Sequence, residues 1–113
     1  MIEYWHNPRC SKSRAGLALL KENGAQPEVC KYLEDAPSAG EIRTVLAKLN
    51  IPAISMMRTA EKTFKELGLT KTSPDEVHIQ AMADHATLIE RPLAIAGDKA
   101  AIGRPPENLL DLL

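Results

Sequence analysis

Cys10 is the residue whose surroundings point most directly to chemistry. It lies in the His-Asn-Pro-Arg-Cys-Ser-Lys-Ser-Arg run of residues 6–14, after a short apolar segment and at the start of an amphipathic one. A helix N-terminus carries partial positive charge and unpaired N–H groups, which stabilise a thiolate and bind anions. The cations Arg9, Lys12 and Arg14 act in the same direction. We therefore predict that Cys10 is a nucleophile with an anion site around it.

Two neighbours of Cys10 have roles that the sequence leaves open. His6 could tune the thiolate or assist a proton transfer, or it could be a turn histidine that bonds to the loop. Ser13, like Ser11, could cap the helix, and it could also help to hold an anion. Ser13 also stands where a Cys-x-x-Cys motif would have its second thiol, so this loop cannot form an internal disulfide. We expect no metal site, because no paired Cys and His set supplies the remaining ligands.

The composition is that of a small globular protein. The chain has 113 residues, of which 44% are hydrophobic and 26% charged, as expected for one domain over residues 1–113. Its net charge of −1 gives no electrostatic footprint for nucleic acid. No apolar run approaches the roughly 20 residues of a membrane span, and the N-terminus lacks a signal-peptide pattern. With two cysteines and no disulfide framework, we expect a cytoplasmic protein with reduced thiols.

The first third of the chain predicts a strand, a helix and a second strand. The strand Ile2–Trp5 ends at an Asn-Pro turn signal, and the helix Ser11–Asn23 is followed by Gly24 at the position that ends such helices. The strand Glu28–Leu33 completes a βαβ unit, which makes a parallel pair. Cys30 falls in this second strand, where a small core residue is the first interpretation and a thiol that resolves a disulfide on Cys10 is the alternative.

The middle of the chain, residues 38–86, predicts a helical block. Helix Ser38–Asn50 begins with the capping-box pair Ser38 and Glu41. Two short helical pieces follow, Ile54–Met57 and Glu61–Leu67. A longer helix, Pro74–Asp84, has Ser73 as its candidate cap and Pro74 at its first position.

The last segment predicts a hairpin and a helix. Leu93–Ala96 and Lys99–Ile102 flank a two-residue Gly-Asp turn, and the final helix starts at Pro105 or Pro106. The order β-α-β, inserted helical block, β-β-α predicts an α/β fold with a small mixed sheet and helices packed on it.

These elements and motifs resemble the glutaredoxin-coupled arsenate reductase (ArsC) family, whose fold is thioredoxin-like. The resemblance rests on the His-Asn-Pro-x-Cys-x-x-Ser-Arg run of residues 6–14 and spans nearly the whole chain in order. Further matches are Met57-Arg58, Glu66-Leu67-Gly68-Leu69, Ile89-Glu90-Arg91-Pro92 and Gly103-Arg104-Pro105. Arg9 and Lys12 depart from the small uncharged residues of better-known members. The chain also ends soon after its final helix, as in a short subgroup without a C-terminal extension.

The resemblance implies a complete reaction. Cys10 would attack arsenate, and Arg58, Arg91 and Arg104 would hold the oxyanion, which suits guanidinium forks. The peptide bond before Pro92 would be cis. Glutathione would reduce the adduct, glutaredoxin would resolve the mixed disulfide on Cys10, and no bound cofactor is implied.

Two other readings stay open. A sister family of the same fold, the Spx-type regulators, binds RNA polymerase and senses redox through a Cys-x-x-Cys pair. Alternatively, the short subgroup acts as a thiol oxidoreductase on another oxyanion or on glutathione mixed disulfides.

Overall fold

The computed structural model describes residues 2–113, and the chain divides into two compact units. The first contains the residues up to Asp35 and from Arg91 onward, and the second contains Ala36–Glu90. No helix within residues 2–113 has the length and apolar character needed to cross a membrane.

A four-stranded sheet organises the first unit. Its strands are β1 (Ile2–Trp5), β2 (Glu28–Cys30), β3 (Leu93–Ala96) and β4 (Lys99–Ile102), in the spatial order β2-β1-β3-β4. β1 runs parallel to β2 and antiparallel to β3, and β3 pairs antiparallel with β4 across the Gly-Asp turn. The predicted mixed sheet, βαβ unit and hairpin are therefore confirmed, and the N-terminal strand lies inside the sheet.

β2 is shorter than predicted, because the chain turns after Cys30 and not after Leu33. Backbone N–H groups of Glu34 and Asp35 both donate to the carbonyl of Lys31, at 3.0 Å each, and form this turn. β1 pairs with β2 as far as Trp5 and Cys30, and the His6 N–H adds one more bond, to the Cys30 carbonyl at 2.8 Å, before the β1 chain turns away. Cys30 is therefore half-buried at the end of an edge strand, and neither Cys10 nor Cys30 forms a disulfide bond.

Helix α1 (Ser11–Glu22) covers one face of this sheet. Its buried residues Ser13, Gly16 and Leu20 face the core, where Tyr4 of β1 and Leu109 are fully buried. Tyr4 Oη donates to the carbonyl of Ser13 at 2.6 Å, which joins the first turn of α1 to the centre of the sheet. The predicted glycine ending is confirmed, since Gly24 has φ +86° and its N–H donates to the carbonyl of Lys21.

The last segment forms a 3₁₀ helix, Pro106–Leu112, and not the α-helix that its leucine spacing predicts. Its N–H groups reach back three residues, as from Asn108 to Pro105 and from Leu113 to Leu110. The Asn108 side chain also donates to the carbonyls of Ile102 and Arg104, which fixes the start of this segment to the end of β4.

The second unit is built from helices α2 (Ala39–Leu49), α3 (Lys62–Glu66) and α4 (Asp75–Asp84), with short 3₁₀ turns at Ala53–Met56 and Ala86–Leu88. The predicted capping box of α2 is confirmed, with Ser38 and Glu41 bonded reciprocally. The Ser73 prediction is wrong: Pro74 occupies the cap position of α4, and Ser73 Oγ instead accepts the N–H of Thr70 at 3.0 Å.

Candidate active site

The loop between β1 and α1 holds Cys10 through a set of short hydrogen bonds. The N–H of Cys10 donates to the Asn7 carbonyl at 3.0 Å, and the N–H of Arg9 donates to Asn7 Oδ1 at 3.1 Å. Arg14 Nη1 donates to the Pro8 carbonyl at 2.8 Å, so a side chain of α1 also holds the loop in place. In the sequence Arg14 stands out only as one of the cations near Cys10, and the structure shows that its guanidinium also contacts the loop backbone.

Cys10 itself is the N-cap of α1. Its backbone is extended, with φ −95° and ψ 121°, and its carbonyl accepts the first helical bond from Arg14 at 3.0 Å. The cap residue is therefore Cys10, and neither Ser11 nor Ser13. The N–H groups of Lys12 and Ser13 at this helix start favour the thiolate form of Cys10, as the placement predicts.

The pKa of the Cys10 thiol is lowered from its ordinary value. Burial is the largest single influence and opposes ionisation, but it is outweighed by hydrogen bonds that stabilise the thiolate. These come from the N–H groups of Ser13 and Lys12 and from the guanidinium of Arg91, whose charge acts in the same direction. The result is a half-buried cysteine with increased thiolate character, as nucleophilic chemistry requires.

Arg91 and Arg104 are joined next to β3 and β4. Arg104 Nε donates to the Arg91 carbonyl at 2.7 Å, and the N–H of Gly103 donates to the carbonyl of Pro92 at 2.8 Å. The cis peptide bond predicted between Arg91 and Pro92 is confirmed. A second cis bond, between Arg104 and Pro105, was not predicted. The structure thus brings Arg91 to Cys10 and fastens Arg104 to Arg91.

Ser13 and His6 form a buried pair beneath the loop. Ser13 Oγ lies 2.7 Å from His6 Nδ1 and accepts the N–H of Asn7 at 3.0 Å, so this hydroxyl is engaged by the loop. The pKa of His6 is lowered by burial first, then by the positive charges of Lys31, Arg14 and Lys21. His6 is therefore neutral at neutral pH.

Tyr4 is a supporting residue that sequence reasoning missed. Burial raises its pKa to about 12, with the nearby Cys10 charge adding to the effect, so the phenol stays protonated and keeps its bond to the Ser13 carbonyl. Tyr4 lies in a predicted strand just before the Cys10 loop, and this position is the sequence signal for a supporting role. The hydrogen bond itself joins residues nine positions apart, so no local sequence pattern indicates it.

Arg58 belongs to the second unit. Its backbone N–H donates to the Leu88 carbonyl at 2.8 Å, next to the bridge between Met57 and Ile89. Its guanidinium lies 3.6 Å from the carboxylate of Glu61. The role that the resemblance implies for Arg58 therefore stays a prediction.

Comparison with known proteins gives a consistent result over nearly the full chain. The profile of the ArsC family matches residues 5–112. An arsenate reductase of Neisseria meningitidis is 47% identical over 110 residues, with 96% of this chain and 94% of that protein covered. One from Haemophilus influenzae is 44% identical over 111 residues, with 96% of both covered.

A solved structure agrees with the sequence relatives. The arsenate reductase from Vibrio cholerae superposes with a TM-score of 0.95 at 43% identity and covers 99% of this chain and 97% of its own. The thioredoxin-like α/β fold that the motifs predict is thereby confirmed. Because the family profile and these relatives both span almost every residue, from the strand before Cys10 to the last 3₁₀ helix, this chain belongs to the ArsC family.

Proposed function

We propose that this protein reduces arsenate to arsenite with Cys10 as its nucleophile. The observation that carries the proposal is the setting of Cys10, a helix N-cap whose thiolate is favoured by two backbone N–H groups of the first turn and by the Arg91 guanidinium. Those donors stabilise the attacking thiolate and also suit the oxygens of a tetrahedral anion. Relatives named arsenate reductase, at 44–47% identity, support this choice of anion.

Arginines supply the charge that an anionic nucleophile and an anionic substrate both need. Arg91 reaches Cys10, and Arg104 is held beside it by the bond to the Arg91 carbonyl. Two unit charges at 4 Å interact by about 4 kcal/mol at an effective dielectric of 20, so one arginine cannot offset repulsion between a thiolate and a dianion. In this proposal Arg91 and Arg104 bind the oxyanion, and the family resemblance assigns Arg58 the same role.

The proposed reaction consumes one external thiol for each arsenic reduced. Arsenic acid, the Cys10 thiol and glutathione give arsenous acid, the Cys10–glutathione disulfide and water. Arsenic gains two electrons, and the two thiols lose two electrons as they form one S–S bond. Their two protons leave with one arsenate oxygen as water. Attack by the Cys10 thiolate on arsenic begins the sequence and forms a Cys10–S–As(V) adduct.

The Cys10–glutathione disulfide must then be reduced from outside. Ser13 cannot act as a resolving thiol, and its hydroxyl is engaged beneath the loop by His6 and Asn7. We propose that glutaredoxin resolves it: a glutaredoxin thiolate attacks the glutathione sulfur, forms a glutaredoxin–glutathione disulfide and releases the Cys10 thiolate. A second glutathione then reduces glutaredoxin, and glutathione disulfide leaves.

Two cysteine variants test the proposal directly. Arsenite formation is measured with glutathione and glutaredoxin present, and the protein is examined by mass spectrometry for one added glutathionyl group. Cys10→Ser should abolish both signals, and Cys30→Ser, the matched control, should keep both. Arsenite production by Cys10→Ser at the parent rate would exclude Cys10 as the nucleophile.

A further inference from the structure

A cleft lies within the first unit, against the loop that leads into Cys10. It has a volume of about 240 Å³ and lies between the β1–α1 loop and the turn that follows β2. Asn7 and Arg9 line one side, and Lys31, Leu33 and Glu34 line the other. The lining includes Arg9, which directly precedes Cys10 in the chain, so the cleft adjoins the loop that carries the nucleophile.

The walls of the cleft are fixed by backbone bonds. The N–H of His6 donates to the Cys30 carbonyl at 2.8 Å, which ties the two sides together at the base. The turn bond from Glu34 N–H to the Lys31 carbonyl, at 3.0 Å, brings Lys31 and Glu34 close on one wall. On the other wall, the Arg9 N–H is bonded to Asn7 Oδ1 at 3.1 Å. The backbone that carries these charged side chains is therefore ordered.

The charges of the cleft match a particular kind of ligand. Two cations, Arg9 and Lys31, and one anion, Glu34, lie around an apolar surface that includes the half-exposed Leu33. A simple oxyanion would gain from the cations but would be repelled by Glu34. A small peptide with two carboxylates and one ammonium fits all three charges, and glutathione has this charge pattern together with a thiol.

We propose that this cleft binds the glutathione moiety that exchanges with Cys10, with its carboxylates on Arg9 and Lys31 and its ammonium on Glu34. The assignment rests on the proposed function, because it locates the reductant of that reaction. The exchange itself is balanced: the Cys10 thiolate attacks glutathione disulfide, forms the Cys10–glutathione disulfide and releases one glutathione thiolate.

The test measures this exchange alone, without arsenate. In a Cys30→Ser background, where Cys10 is the reacting thiol, the rate with glutathione disulfide is divided by the rate with bis(2-hydroxyethyl) disulfide. The uncharged disulfide reports the reactivity of the thiolate, so the ratio isolates recognition of the charged groups. Arg9→Gln and Lys31→Gln should each lower this ratio about threefold to fivefold, the range of an exposed ion pair.

Glu34→Gln separates a built site from general attraction. Removing a negative charge would raise the ratio if the cleft merely attracted the anionic disulfide. It should instead lower the ratio, because the ammonium loses its partner. Lys99→Gln is the matched control and should leave the ratio unchanged, since Lys99 pairs with Ala96 at the end of the sheet beside Ile2, away from His6 and its loop.

The two proposals can fail separately. Ratios for Arg9→Gln and Lys31→Gln no lower than that for Lys99→Gln, or a raised ratio for Glu34→Gln, would overturn the cleft assignment. If the ratios change as expected while the parent protein forms no arsenite, the glutathione cleft stands and the arsenate proposal fails.

Discussion

Arg104 Nε donates a 2.7 Å hydrogen bond to the backbone carbonyl of Arg91. The segment before β3 and the segment after β4 are therefore fastened to each other, with the Gly103-to-Pro92 backbone bond beside them. Arg91 is the residue whose guanidinium reaches the Cys10 sulfur, so Arg104 helps to fix the position from which it does so.

Arg104→Lys should weaken arsenate binding more than it slows turnover. Lysine keeps the positive charge but has one cationic nitrogen, so it cannot hold the Arg91 carbonyl and present a planar fork to an oxyanion. We expect KM for arsenate to rise about tenfold, the effect of losing one good charge-assisted hydrogen bond, with a smaller change in kcat. Steady-state kinetics of arsenite formation provides the measurement, and an unchanged KM would contradict this role.

Arg91→Gln should raise the pKa of Cys10. The Arg91 guanidinium stabilises the thiolate and lowers its pKa, so removing it leaves less thiolate near neutral pH and the same amount well above both pKa values. Alkylation by iodoacetamide in a Cys30→Ser background should therefore be slower at neutral pH but equal at alkaline pH. Arg43→Gln, which removes an arginine that pairs with Glu76 in the second unit, serves as the control. Identical pH profiles for both variants would exclude the Arg91 contribution.

Ser13→Ala should destabilise the protein by about 1–3 kcal/mol, the usual cost of leaving a buried donor without an acceptor. The change removes the acceptor of the Asn7 N–H and the partner of His6 Nδ1 in a fully buried position. Urea unfolding gives the free-energy difference. The control Ser55→Ala, at an exposed serine, should change the free energy of unfolding by less than about 0.5 kcal/mol. Equal losses in the two variants would contradict a stabilising role for the hydrogen bonds of Ser13.

Gly16→Ala and Gly40→Ala should have opposite effects on stability. A Cβ on Gly16 would lie 2.5 Å from Tyr4 Oη and 2.9 Å from a Leu109 methyl carbon, so α1 would have to move from the sheet. We expect a loss of about 1–3 kcal/mol, the usual range for overpacking. At Gly40 the nearest atom is 3.8 Å away, and alanine should add up to about 1 kcal/mol. Denaturant unfolding tests this, because the midpoint should fall for Gly16→Ala and rise for Gly40→Ala.

Local patterns predicted much of this protein, because their physical causes lie within a few residues. The Ser38 and Glu41 capping box, the Gly-Asp hairpin turn and the position of Cys10 at a helix start are all of this kind. What sequence reasoning missed depends on contacts between distant segments. β2 ends at Cys30 because its partner strand ends, and Tyr4 meets Ser13 only after α1 packs on the sheet.

The glutathione cleft and the Arg104 bond to Arg91 belong to the same non-local class. The two sides of the cleft are separated in the chain by α1 and β2, and Arg91 and Arg104 are separated by the β3–β4 hairpin. Composition and hydrophobic periodicity do not predict contacts of this kind.

The position of β1 inside the sheet has a consequence for biosynthesis. This first strand pairs with β3, residues 93–96, so the sheet stays incomplete while most of the chain is being made. Ribosomes add about 5–20 residues per second, so Cys10 is exposed in the nascent chain for seconds before Arg91 is synthesised. During that interval the thiol lacks one of the groups that promote its ionisation. The nascent chain therefore carries a less reactive cysteine, and full reactivity arises only after Arg91 and β3 have been synthesised.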